Sequence, residues 1–101
     1  MTLPSLRKHI DQVDRQLLRL LNQRARLALQ VGGLKARRGA PIFDGRREAA
    51  IVRRLLQANG GPLRATSIRE IFREILRHSR ELEASATTAV HRPPSTVHRG
   101  T

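Results

Sequence analysis

The sequence predicts an all-α protein of three successive helices, the first very long, with a second copy of the chain completing the fold. Three observations lead there. Leu3, Leu6, Ile10, Val13, Leu17, Leu20, Arg24, Leu27, Val31 and Leu34 recur at spacings of three and four without a slip. That is the seam of a helix roughly 50 Å long at ~1.5 Å per residue. Gly39-Ala40-Pro41 and Asn59-Gly60-Gly61-Pro62 cut the chain into three segments. No segment alternates with period two over a useful length, so no strand is expected.

A second stripe lies one residue over from the seam: Arg7, Asp11, Asp14, Leu18, Leu21, Ala25, Ala28, Gly32 and Lys35. The apolar face of the first helix is therefore wide enough for more than one partner helix. A helix this long in a 101-residue chain cannot be covered by that chain alone, so association with a second copy is expected. After the first break Asp44 can cap a helix of about 15 residues, whose apolar face is Ile51, Val52, Leu55 and Leu56. A glycine in the left-handed conformation and Pro62 are expected to end it. A third helix is expected from near Ala65 or Thr66 to about Glu83, with Ile68, Ile71, Phe72, Ile75, Leu76 and Leu82 on its apolar side. From Ala84 the apolar pattern stops. Residues 1–83 thus read as one helical domain, and 84–101, with Pro93-Pro94 and a twice-repeated Val-His-Arg, as a flexible basic tail.

Composition narrows the chemistry. There is no Cys, which excludes disulfides, a thiolate zinc site and a Cys nucleophile. The four His (His9, His78, His91, His98) are scattered, so no metal site is expected. No apolar run approaches the ~18 residues of a membrane span, and no signal-peptide pattern opens the chain, so a cytoplasmic protein is expected. Lys8 and Lys35 are the two lysines among 20 basic residues, against eight acidic ones, so the net charge of +12 is carried by arginine. An anionic partner is implied. Nucleic acid is one candidate, but the charge is spread over every segment and only two Phe are available for stacking.

Polar residues on apolar faces are the candidates for a site. Arg24 interrupts an otherwise aliphatic seam. It can set register with its stem packed and its head in water, or it can hold a carboxylate or phosphate in a bidentate grip. Arg7 and Lys35 bracket the second stripe. Arg7 and Arg24 are 17 residues apart, roughly 25 Å along one helix. They can meet one small molecule only if Arg7 comes from another chain, as an antiparallel pairing of long helices allows. Asp44 suits a cap, whereas Glu48 borders the apolar face of the second helix. Phe72, Leu76, Ser79 and Glu83 form a stripe that begins apolar and turns polar. It describes a helix leaving the core or one whose last turns line a polar pocket. Ser79 has no base beside it in sequence, so no nucleophile is proposed.

Taken in order, these segments resemble the all-helical class of chorismate mutase over about residues 5 to 83. The resemblance is carried by Leu6-Arg7 with Ile10-Asp11 and Asp14, Leu20-Leu21-Asn22-Gln23-Arg24, and Val31-Gly32 with Lys35. Pro41-Ile42-Phe43-Asp44 with Arg47-Glu48, Asn59-Gly60-Gly61-Pro62-Leu63, and Ile71-Phe72-Arg73-Glu74-Ile75 with Ser79-Arg80-Glu81-Leu82 complete it. It implies an intertwined homodimer with two equivalent sites that isomerises chorismate to prephenate, a [3,3] sigmatropic shift in phenylalanine and tyrosine synthesis. The family uses no cofactor or metal. By position, Arg24 and Arg7 of the second chain would hold the two carboxylates of chorismate, with Arg47 and Ser79 nearby. Lys35 would donate to the ether oxygen, Glu48 would accept from the ring hydroxyl, and Asp44 would border it. Two positions depart from the pattern: Gly45 stands where relatives often have Pro, and Glu83, a catalytic candidate that by position would face the ether oxygen beside Lys35, stands where many have a Gln that donates to it.

Two other functions fit parts of the sequence. An isochorismate-pyruvate lyase shares the scaffold, but the Lys35 to Pro41 spacing and the Asp44/Glu48 pair favour the mutase. A basic helical nucleic-acid-binding module fits the charge, yet leaves Arg24, Glu48 and Ser79 without a role. Many domains of the resembled class work attached to, or bound by, another shikimate-pathway enzyme, so such a partner is also expected.

Overall fold

The computed structural model describes residues 1–90. They form three helices, α1 (Leu3–Arg38), α2 (Gly45–Ala58) and α3 (Ala65–Val90), and no strand occurs among the described residues.

Local chemistry sets each boundary. Thr2 caps α1 by accepting from the Ser5 amide at 3.2 Å, while Ser5 Oγ accepts from the Thr2 amide at 3.3 Å, a reciprocal capping box with Pro4 in the first turn. At the other end Gly39 takes φ 65°, and its neighbour's amide, that of Ala40, reaches back to the Lys35 carbonyl at 2.8 Å. Lys35, Arg37 and Arg38 place positive charge in the last turn, where the helix dipole favours it. Asp44 caps α2 as the sequence predicts, its carboxylate accepting from the Arg47 amide at 3.0 Å. The end of α2 differs from expectation. Asn59 leaves the helix in an extended conformation, and the left-handed residue is Gly61, two positions further on, within a turn that Asn59 pins through its side chain.

The third helix also corrects the sequence reading, which ended it at Glu83 and gave 84–101 to a tail. α3 runs on to Val90. Residues 84–89 are Ala, Ser and Thr. Ala is the best helix former, while Ser85, Thr87 and Thr88 hydroxyls bond back to the carbonyls of Leu82, Glu83 and Ala84. An apolar stripe is not needed where small residues continue a helix already nucleated. The remaining expectation for the tail, residues 91–101, lies outside the described residues.

Packing divides the two stripes of α1 between two uses. The second stripe faces α3: Ala28, Gly32 and the adjoining Ala36 are buried. A Cβ on Gly32 would stand 2.5 Å from the Glu83 carbonyl oxygen, so the backbones of α1 and α3 touch there because residue 32 has no side chain. The leucine seam is left uncovered, with Leu3, Ile10, Val13, Leu17 and Leu20 all more than half exposed. α2 lies against α3 and does not pack on α1. The result is a slab 60 × 37 × 15 Å with a radius of gyration of 18.3 Å, against about 13 Å for a compact chain of this length. Among the described residues no large side chain is fully buried. An exposed ladder on α3 joins Arg77 to Glu74 and Glu81 at 2.8 Å each, and the hydrogen bond from Arg77 holds the Glu74 carboxyl below the usual carboxylate range.

Candidate active site

A cavity of about 350 Å³ opens where the C-terminal half of α1, the start of α2 and the middle of α3 converge. Of the candidate residues, Arg24, Lys35, Asp44, Arg47, Glu48, Ser79 and Glu83 all line it. Leu27, Val31, Ile42, Ile51 and Leu76 supply its apolar walls. Arg7 does not line it; it sits exposed in the first turns of α1, at the far end of that helix. Phe72, the apolar start of the α3 stripe, is half-buried outside the cavity, while Leu76, Ser79 and Glu83 carry the polar gradient into it.

Arg24 is half-buried and donates from Nη1 to Ser79 Oγ. Ser79 is buried and donates in turn to the Ile75 carbonyl at 2.9 Å. Its hydroxyl is thereby committed to holding a guanidinium in place, a role that positions Arg24 and needs no base. A cation in a leucine seam is tolerated because the head has a fixed partner across the interface with α3.

Lys35 is the most constrained cation of the site. Its ammonium donates to the Ile42 carbonyl at 2.6 Å and to Glu83 Oε1 at 2.7 Å, with the Lys35 and Glu83 side chains 20% and 13% exposed. An ammonium has three N–H donors, so one is left for another acceptor. The bond to Ile42 ties the α1–α2 connector to the site, and the bond to Glu83 ties α3 to α1. Gly32, one turn before Lys35, allows the close backbone approach that makes the second bond short.

From α2 the cavity receives two residues of the first turn and the cap. Asp44 spends one oxygen on the helix N-terminus. Arg47 is exposed at the mouth. Glu48 is half-buried and accepts from Arg80 Nη1 with both carboxylate oxygens, at 2.5 and 2.6 Å. Sequence reasoning singled out neither Gly32, nor Arg80, nor the Ile42 carbonyl as functional. The first was visible as a small residue in the second stripe, the second as part of the Ser79-Arg80 motif, but their roles arise only from the approach of helices distant in sequence.

Three helices that converge three cations and three carboxylates on one small pocket define an all-helical protein shaped to hold a compact anion. The chorismate mutase type II family matches residues 6–84, and the chain belongs to that family. It is 37% identical over 98 residues to a bifunctional chorismate mutase/prephenate dehydratase of Aquifex aeolicus, covering 93% of this chain and 27% of that protein. It is likewise 37% identical over 78 residues to the T-protein of Haemophilus influenzae, with 76% of this chain and 21% of that protein covered. The chain spans about a quarter of the length of these curated relatives. A solved chorismate mutase of Thermus thermophilus superposes with a TM-score of 0.80 at 39% identity, over 81% of this chain and 93% of that one.

Proposed function

We propose that the chain is a chorismate mutase that isomerises chorismate to prephenate. The observation that carries this reading is the convergence of Arg24, Lys35 and Arg47 on a single cavity that also holds Glu48, in a chain of this family. The reaction is pericyclic: the ether C–O bond breaks as a C–C bond forms, and no proton, nucleophile or acyl group moves. What a protein can contribute is orientation of a flexible dianion in a chair-like conformer and stabilisation of charge that grows on the ether oxygen. Arg24, fixed by Ser79, and Arg47 bind carboxylates. Lys35 offers its third N–H to the ether oxygen, already aimed by Ile42 and Glu83. Glu48 accepts from the ring hydroxyl, and Asp44 borders it.

The uncovered leucine seam supports a homodimer in which two α1 helices run antiparallel and Arg7 of one copy enters the cavity of the other. In such an assembly the pocket gains a cation that its own chain cannot deliver. The names of the bifunctional relatives further support a partnership with another enzyme of the shikimate pathway, covalent or transient. No helix among the described residues is long and apolar enough to cross a membrane, and a cytoplasmic site of action remains the expectation from the sequence.

The test is direct. Purified protein should remove chorismate absorbance with prephenate as the product. Isochorismate supplied in a parallel assay should yield no salicylate and pyruvate; conversion there without mutase turnover would assign the chain to the lyase. Inactivity on both, with nucleic-acid binding that weakens steeply with salt, would transfer the reading to the basic module.

A further inference from the structure

Beside the cavity, a second cross-helix ion pair takes no part in the rearrangement chemistry of Lys35 and Arg24. Arg80 Nη1 on α3 bridges the two carboxylate oxygens of Glu48 on α2. The side chains are 32% and 21% exposed, so both are largely withdrawn from water. The Arg80 guanidinium carbon also lies 5.7 Å from the centre of the Phe43 ring, within cation–π range. That ring occupies the space beside residue 45: a Cβ there would stand 3.2 Å from it, and the residue is Gly. Gly45, one of the two departures from the family pattern, thus leaves room for the Phe43 ring on which Arg80 rests.

The placement of Arg80 distinguishes it from the cations of the site. It does not line the cavity that holds Arg24, Lys35 and Arg47. It lines a neighbouring cavity of about 300 Å³, together with Arg69 and Arg73, that shares only Glu48 and Leu76 with the first. A molecule in the site therefore meets Arg80 through the Glu48 carboxylate. An unrestrained Glu on a helix surface samples several rotamers, and ordering it upon binding costs side-chain entropy. Charge-assisted hydrogen bonds from a cation that is itself stacked remove that freedom beforehand. A carboxylate has about four acceptor positions, so the two taken by Arg80 leave capacity for a hydroxyl.

We propose that Arg80 is a positioning residue that holds Glu48 as a fixed acceptor and thereby sets the preference for a substrate bearing the ring hydroxyl. The inference rests on the mutase reading and on Glu48 receiving that hydroxyl.

The experiment compares chorismate with an analogue in which hydrogen replaces the ring hydroxyl, using the full chain. Arg80→Met should lower kcat/KM for chorismate by about tenfold or more, chiefly through KM, because the hydroxyl contact exists in ground and transition states alike. It should leave kcat/KM for the analogue within about twofold of the parent. In a Glu48→Ala background, Arg80→Met should cost nothing further on chorismate. Arg80→Lys, which keeps charge and donors, should recover part of the loss, and Arg80→Gln takes the place of Arg80→Met should the latter not fold. Equal losses on both substrates, or additive losses with Glu48→Ala, would reduce Arg80 to a structural tie and overturn the proposal. So would unchanged kinetics. A parent protein that does not convert chorismate sinks the mutase reading itself, and is told apart by the first control.

Discussion

Arg24 shows how one residue reconciles stability with charge. Its head is received by the Ser79 hydroxyl, and in the seam it is flanked by Leu20 and Leu27. Arg24→Leu would extend the aliphatic seam and remove a half-buried cation, while Ser79 keeps its bond to Ile75. The variant should melt no lower than the parent and yet be inactive; a stable, active protein would make Arg24 structural. Lys35→Ala should slow the chemical step by on the order of 10² or more, as for a lost oxyanion donor, read from kcat at saturating chorismate. Glu83 carries a subtler expectation. As a carboxylate it accepts from Lys35, and it can donate to an ether oxygen only when protonated. Glu83→Gln keeps an acceptor for Lys35 and adds an N–H donor, so it should stay active, with kcat no lower than the parent's. A loss of kcat in Glu83→Gln would place Glu83 away from the ether oxygen, as an anchor for Lys35 alone.

Helix pairing explains what a reader of the sequence can and cannot foresee. The existence of all three helices follows from spacings of three and four and from Gly/Pro punctuation. Those signals are local, and they also yield the Asp44 cap and mark Arg24, Lys35, Glu48, Ser79 and Glu83 as polar residues on or beside apolar faces; Arg47 became a candidate through the family resemblance alone. The end of α3 was not legible, because Ala84 to Ala89 offers no periodic apolar residue and continues through propensity and hydroxyl back-bonds. Gly32 was legible as a member of a stripe but not as the point where two backbones meet. Such a role depends on which residue of α3 lies opposite, and that is a fact about tertiary register. Its consequence can be measured. Gly32→Ala puts a methyl 2.5 Å from the Glu83 carbonyl oxygen, which only a shift of the helices can relieve, at a cost of about 1–3 kcal/mol. The melting temperature should fall, and kcat with it, since Lys35 and Glu83 would no longer meet at hydrogen-bond distance. Undiminished activity would show that their separation is not set by this contact.

The assembled molecule should owe its activity to two chains. Arg7 lies outside its own chain's cavity, so an Arg7→Ala parent and an Arg24→Ala parent should each be inactive while their mixture recovers. Each heterodimer keeps one intact site of two, and random pairing makes half the dimers mixed, so about a quarter of the parental sites should return. A mixture as inactive as its parents, with heterodimers verified by mass, would mean that Arg7 belongs to no shared site. How the mixture must be prepared follows from the lack of any fully buried large side chain among the described residues. A slab 15 Å thick, whose buried apolar residues among the described ones are Ala28, Ala36, Ile68 and Leu76, has little interior of its own to condense around. Its chains should acquire structure as they meet, making refolding second order in protein and raising the melting midpoint with concentration. Folded parents stirred together would then trade subunits only as fast as they unfold. Denaturing the two jointly and refolding them in one vessel should restore activity within minutes, while the same proteins mixed in the native state stay silent for far longer.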